Sequence, residues 1–189
     1  MKQKTKREDI MGARKNAGIK SVIIEYSSAL FAEKGVEGTG LKEIAEKCDI
    51  SKGTLYYYFP NKEKLVCVCA EALFAAISEP LYEWMRNMTP ETDISEICRT
   101  LAEIFTADRQ RSRLLISLVS CGSENVKQMK EAAFEQWRIM LELAAMRMNE
   151  KYGKRFETLA KTLLPLIIGL CALGTDSEKT AGHIRSVLE

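Results

Sequence analysis

The sequence predicts an all-α protein of about nine helices, arranged as a small N-terminal helical domain and a larger helical body. Three observations point there. Apolar residues recur at spacings of three and four almost throughout the chain. Runs of β-branched residues alternating with polar ones, the mark of strands, are absent. Only 4 prolines and 11 glycines occur in 189 residues, so long helices are rarely interrupted. With 46% hydrophobic residues, a chain of this length can bury one large or two small cores.

The elements follow in order. Residues 1–15 lack apolar periodicity and read as a flexible basic arm. Ile19, Val22, Ile23, Tyr26, Leu30 and Phe31 mark one face of a first helix, closed by Lys34 and Gly35. Thr39 stands where an N-cap is needed for a short helix from Leu41 to Cys48. Asp49-Ile50 form a turn, and Ser51 caps a second short helix from Lys52 to Tyr58. Pro60-Asn61 break it, and Asn61 caps a long helix starting at Lys62. Leu65, Cys69, Leu73 and Ile77 form the inner stripe of that helix, which Pro80 is expected to kink or end. Thr89-Pro90 reads as the start of the next helix, carrying Ile94, Ile97, Leu101, Ile104 and Phe105. A helix over about 110–120 follows, then a long amphipathic one from Val126 that Gly153 ends. Phe156 to Leu173 is apolar on most faces, which suits a central or interface helix. Thr175 and Glu178 have the spacing of a capping box for the last helix, with Ile184, Val187 and Leu188 inward. The expected division is therefore an arm over 1–15, a small helical domain over 16–63 and a larger body over 64–189.

The formal net charge of +2 is unevenly distributed. Residues 1–64 hold 13 basic and 9 acidic groups, whereas the rest hold 15 and 17. A basic end on a slightly acidic body suits an anionic partner at that end, although a solubilising tail has the same composition. The six cysteines include no C-x-x-C pair, and the charged start precedes no apolar signal region. They are expected to be reduced thiols of a cytoplasmic protein. The run from Leu163 to Leu173 is too short to cross a membrane and contains Pro165 and Gly169. His183 is the single histidine and lies near no G-x-S-x-G, so neither a metal site nor hydrolase chemistry is expected, and no cofactor is.

The informative stretch is Thr39 to Leu65, TGLKEIAEKCDISKGTLYYYFPNKEKL. Two short helices joined by a tight turn can deliver the second into a major groove. Leu41, Ile44, Ala45 and Cys48 form the inner face of the first; Ile50 plugs the turn; Leu55 holds the second helix from inside. Lys52, Gly53, Thr54, Tyr56 and Tyr57 are then left outside, a set with hydroxyls, rings and a cation but no acid. Gly53 lets backbone approach DNA closely. Lys62, in the first turn of its helix, is unfavourable for the helix dipole, and a phosphate partner would explain it. Elsewhere such lysines read as solvated charges. Four aromatics in a row cannot share one helix face, so Tyr58 or Phe59 is expected to be buried while Tyr56 and Tyr57 are exposed.

These residues resemble the signature of the tetracycline-repressor family: Ile44-Ala45, Ser51 to Tyr56, Tyr58-Phe59 and Lys62-Glu63-Lys64-Leu65, preceded by Leu30 to Gly35. The likeness covers about residues 20–66. It implies three small helices that bind DNA, a fourth linking them to a ligand-binding and dimerising body, and DNA contacts from Thr39, Lys52, Thr54, Tyr56, Tyr57 and Lys62. Asp49 stands where the family usually has glycine; Asp tolerates the left-handed conformation such a turn needs. Gly40 stands where the family often has a second hydroxyl. The resemblance further implies a homodimer formed by the last two helices on a pseudo-palindromic operator, and a repressor released by an unidentified small molecule. In the body, Trp84, Met88, Phe105, Trp137 and Met140 read first as core and alternatively as the lining of an apolar ligand cavity. A DNA-binding regulator controlled by a protein partner or by abundance is the competing expectation.

Overall fold

The computed structural model describes the backbone of residues 2–148, 162 and 165–188, and side chains within 18–148, 162 and 165–187. Every regular element among the described residues is a helix. They are α1 (Lys2–Lys34), α2 (Leu41–Lys47), α3 (Lys52–Tyr58), α4 (Lys62–Asn87), α5 (Ile94–Thr106), α6 (Arg109–Val119), α7 (Glu124–Ala145), α8 (residues 165–172) and α9 (Ser177–Leu188). The backbone of the expected flexible arm is helical, because α1 reaches back to Lys2. Its residues are mostly good helix formers with no proline among them, so the helix can propagate backward from its packed half.

Ile23, Phe31, Ile44, Leu55 and Phe59 from α1 to α3 belong to one buried cluster that continues through α4 into the body. α4 supplies Leu65, Cys69, Leu73, Ile77, Leu81 and Met85, each four residues after the last and all buried. This helix is long and apolar enough to cross a bilayer by length and hydropathy. Its apolar stripe is instead covered by protein, and Glu71, Glu79 and Glu83 stand along it away from that stripe. α4 packs against α7 and also touches α1, α5 and α6, while α6 lies along α1 and α9 along α5. In the middle of the body Trp137 is fully buried. The rings of Phe74, Phe105 and Phe134 surround it at 6.0, 5.5 and 5.4 Å, and its Nε1–H donates to Ser78 Oγ at 2.7 Å.

Pro80 does not end α4, which continues to Asn87. Proline has no N–H to give the carbonyl four residues back, which is that of Ala76. The guanidinium of Arg111, on α6, donates to Ala76 O at 3.3 Å and fills the place. At the end of the same helix, Arg147 donates to Met85 O and Arg86 O at 2.8 and 3.1 Å, satisfying carbonyls that a helix terminus leaves open.

Several expected boundaries move. α5 starts at Ile94, not at Thr89-Pro90, because Asp93 is the cap: its carboxylate accepts from Ser95 N–H at 2.8 Å. Thr89 and Thr92 instead close a turn on each other. α7 ends at Ala145 rather than Gly153, and the chain turns there as Arg147 reaches back to α4. The capping box at Thr175 is replaced by Asp176, which accepts from Lys179 N–H at 2.8 Å, while Thr175 Oγ1 donates to Leu170 O. Ile184 is buried as expected but Val187 is half exposed. Most of the apolar segment 156–173, with the dimer contacts expected of it, lies outside the described residues; within it Ile167, Leu170 and Cys171 are buried. All six cysteines are free thiols. Burial pushes Cys69 up to about 11, and its Sγ faces Ile24 O.

The proline and arginine should be energetically coupled. Pro80→Ala restores the helical donor and is expected to stabilise the protein by about 1–3 kcal/mol. Arg111→Met should cost about 1 kcal/mol more in the native chain than in one already carrying Pro80→Ala, a difference read from a double-mutant cycle in chemical denaturation.

Candidate nucleic-acid interface

The N-terminal helices α1 to α3 form the candidate reading head. The α1 end is fixed by Lys34, whose ammonium donates to Glu43 on α2, an interaction that raises the lysine pKa. A Cβ at Gly38 would lie 2.4 Å from Lys34 O, so this loop closes on backbone that only glycine permits. α2 ends on Asp49, at φ 52, the left-handed residue that the sequence requires there. Ile50 N–H donates to Ala45 O at 3.0 Å and Asp49 N–H to Glu46 O at 3.2 Å, the paired bonds that terminate a helix on such a residue. Ser51 then caps α3, its Oγ accepting from Thr54 N–H at 3.0 Å. Asn61 caps α4 in the same way, through Lys64 N–H at 2.8 Å.

Within α3 the side chains sort sharply by face. Leu55 is 0% and Phe59 1% exposed, whereas Tyr56 is 50% and Tyr57 75% exposed. Lys52 and Gly53 are exposed, and Thr54 and Tyr58 are half-buried. Tyr57 stacks edge-on against Tyr58, with ring centres 5.1 Å apart, so its outward position is supported from behind. Lys20 on α1 sits 5.9 Å from the Phe59 ring centre. The Thr54 hydroxyl lies 2.9 Å from Ser51 Oγ, which holds it at the start of the helix. Lys62 is half-buried in the first turn of α4 and makes no ion pair among the described residues. The result is a surface with the amine of Lys52 and the hydroxyl of Thr54 at the N-terminal half of a short helix, the end that carries partial positive charge, and the rings of Tyr56 and Tyr57 in its C-terminal half.

Thr39 is a correction. It is 1% exposed and does not cap α2, whose N-cap is Gly40 with no side-chain bond. Its hydroxyl donates to Gly35 O at 2.8 Å and approaches Leu30 O at 3.3 Å. Carbonyls at the end of α1 take the proton that a phosphate would need, so the side chain pins the loop and leaves the contact set. One contact escaped the sequence reading. Glu63, beside Lys62, accepts from Ser123 Oγ and Asn125 Nδ2 at 3.0 and 2.8 Å, joining the start of α4 to the start of α7. No spacing signal links residues so far apart in the chain.

The residues considered for a ligand cavity are mostly packed as core. Met88, Phe105, Trp137 and Met140 are buried and Trp84 is half-buried. Phe105 and Trp137 meet ring against ring. A cleft of about 850 Å³ opens elsewhere, between the end of α1, α6 and the turn from α8 to α9. His183 is exposed, with Nδ1 2.7 Å from Lys179 O.

With this geometry in view, comparison with known proteins is direct. Residues 23–67 match the model of bacterial regulatory proteins of the tetR family. Over these residues the chain resembles the N-terminal segment of the tetR family. It is 30% identical over 118 residues to the HTH-type transcriptional regulator RutR of Escherichia coli K12, covering 62% of this chain and 53% of RutR. It is 32% identical over 103 residues to IcaR of Staphylococcus epidermidis, the negative transcriptional regulator of the biofilm operon icaADBC, covering 54% of each. The chain thus spans about half the length of these relatives. The solved structure of AibR in complex with isovaleryl coenzyme A and operator DNA shares the fold, with a TM-score of 0.69 at 18% identity over 90% of this chain and 98% of that one. Both relatives are transcriptional regulators. The outward face of α3, which lies within the matched residues, is therefore the candidate DNA-reading surface.

Gly53 supplies a test that separates folding from recognition. A Cβ there would meet only Ser51 Oγ at 3.7 Å, an ordinary contact, so nothing inside the protein demands glycine. Gly53→Ala should raise stability by about 0.5–1 kcal/mol, as in other helices, yet weaken DNA binding. Leu55→Ala, by contrast, should cost about 2–5 kcal/mol in chemical denaturation.

Proposed function

We propose that the protein is a dimeric, sequence-specific DNA-binding transcriptional regulator of the cytoplasm, a repressor released from its operator by a small molecule. The observation carrying this reading is the division within α3: Leu55 and Phe59 point in, and Lys52, Gly53, Thr54, Tyr56 and Tyr57 are left at or near the surface. Lys52 and Lys62 suit phosphates, which position the helix without reading sequence. Thr54, Tyr56 and Tyr57 suit base edges in the major groove. Residues 16–63 act as the DNA-binding domain and 64–189 as the regulatory and dimerising body. Pairing through the last two helices would set the two copies of α3 on successive grooves, about 34–36 Å apart, and so favour a pseudo-palindromic operator. The dense packing around Trp137 favours control without an apolar effector in the middle of the body. The cleft beside α6 favours an effector bound at the junction with the reading head.

Selection from a random duplex library at low salt, followed by titration, tests this. An inverted-repeat site is expected, bound by two chains. Lys62→Ala should weaken binding to all sequences and reduce the slope of log K against log salt by about 1. Tyr57→Ala or Thr54→Ala should instead relax base preference at one position per half-site. Failure to retain any duplex at low ionic strength would overturn the reading, and an unchanged salt slope would remove Lys62 from it.

A further inference from the structure

We propose that the cleft between α1, α6 and the α8–α9 turn is an effector site for a small amphiphilic anion, a carboxylate or a phosphate whose head is held by Arg109 and Arg113. This rests on the regulatory reading above and says where the effector binds and what it is chemically. Arg109 and Arg113 lie one turn apart on α6, and both line the cleft. Two guanidinium groups at that spacing repel each other and cost helix stability. Most other described arginines of the body have protein partners: Arg86 has Glu83, Arg138 has Glu135 and Glu142, Arg111 has Ala76 O and Asp108, Arg147 has the α4 carbonyls and Arg185 has Ser95, whereas Arg99 on α5 has none among the described residues. Arg109 and Arg113 have none among the described residues.

The acids around them are engaged elsewhere or make no ion pair with them. Asp176 caps α9 and lies 3.9 Å from Lys179 Nζ. Asp108 caps α6 and faces Arg111. Glu33, on the α1 wall of the cleft, makes no ion pair with either arginine. A lone carboxylate on that wall works against a polyanion such as DNA and in favour of a small ligand of low charge. The remaining lining includes Ile116, Cys171 and Leu173, an apolar bed for a short hydrocarbon body. The volume of about 850 Å³ is of small-molecule size.

The site is also placed to act. Ser117 follows Arg113 by one helical turn and lines the same cleft. Its Oγ accepts the Val36 N–H at 3.0 Å, and Val36 opens the loop that leads through Thr39 to α2 and α3. A ligand drawn onto Arg109 and Arg113 therefore bears on the bond that ties the reading head to α6.

The full chain is titrated calorimetrically with octanoate, octyl phosphate and octylammonium, and its affinity for the selected operator is measured with each. At least one of the anions should bind once per subunit and weaken operator binding by about 5–150-fold, and the ammonium should do neither. Arg109→Gln and Arg113→Gln, alone and together, replace exposed side chains, so the variants should fold and bind the operator normally without ligand. The pair should weaken anion binding at least about tenfold, the scale of lost charged hydrogen bonds. Ser117→Ala should keep anion affinity and lose most of the release. The site is refuted if neither anion binds, if octylammonium binds as well, or if the double variant keeps wild-type anion affinity. Anion binding that leaves operator affinity unchanged, or release that survives in Ser117→Ala, overturns the coupling. Operator binding with no anion response sinks this site and leaves the regulator reading standing. Calorimetry decides the site even if no operator is found.

Discussion

Burial of one face of α4 is the constraint on which the molecule depends. The stripe from Leu65 to Met85 is shared by the core of the reading head and the core of the body. Each of its leucine, isoleucine and methionine side chains contributes about 1.5–3 kcal/mol when fully removed from water, so the two parts are not free to drift independently. Asn61 caps α4 two residues after Phe59, which is itself buried. The orientation of the surface helix is thus tied, within a few residues, to the longest packed helix of the body.

The N-terminal helices illustrate how little sequence is needed to set an outward face when inside and outside are both specified. Leu55 and Phe59 anchor a short helix that could not persist alone in water. Hydrogen bonds from Ser51, the left-handed Asp49 and the inward Thr39 fix its entry angle. The exposed rings, amine and hydroxyl are then presented by a scaffold whose own packing does not depend on them. Nothing in the packing therefore demands glycine at position 53, whereas Leu55 is part of the core.

Much of this was legible in the sequence because the signals were local. Helical spacing marked the helices, Ser51 and Asn61 marked two starts, and the four consecutive aromatics forced a split between buried and exposed. Where the reading slipped, a competing group a few residues away won: Asp93 over Thr89, Asp176 over Thr175, and a carbonyl at the end of α1 over the α2 cap for Thr39. Long-range pairings such as Glu63 with Ser123 and Asn125, or Val36 with Ser117, have no periodic signature. The aromatic and methionine stripe of the body was ambiguous by nature, since a packed core and an apolar cavity are written with the same residues. Only the placement of Phe74, Phe105 and Phe134 around Trp137 distinguishes them.

The missing donor of Pro80 has an evolutionary corollary. A helix that carries proline at this position gains a partner for the freed carbonyl from a cation on α6, and a chain that loses the cation leaves that carbonyl to solvent unless the proline goes too. Among descendants of one ancestor the two positions should therefore change together: proline with arginine, or an ordinary helix former with any residue at position 111. Such a pair would record, in sequences alone, that α4 and α6 have stayed in contact through the divergence of the body.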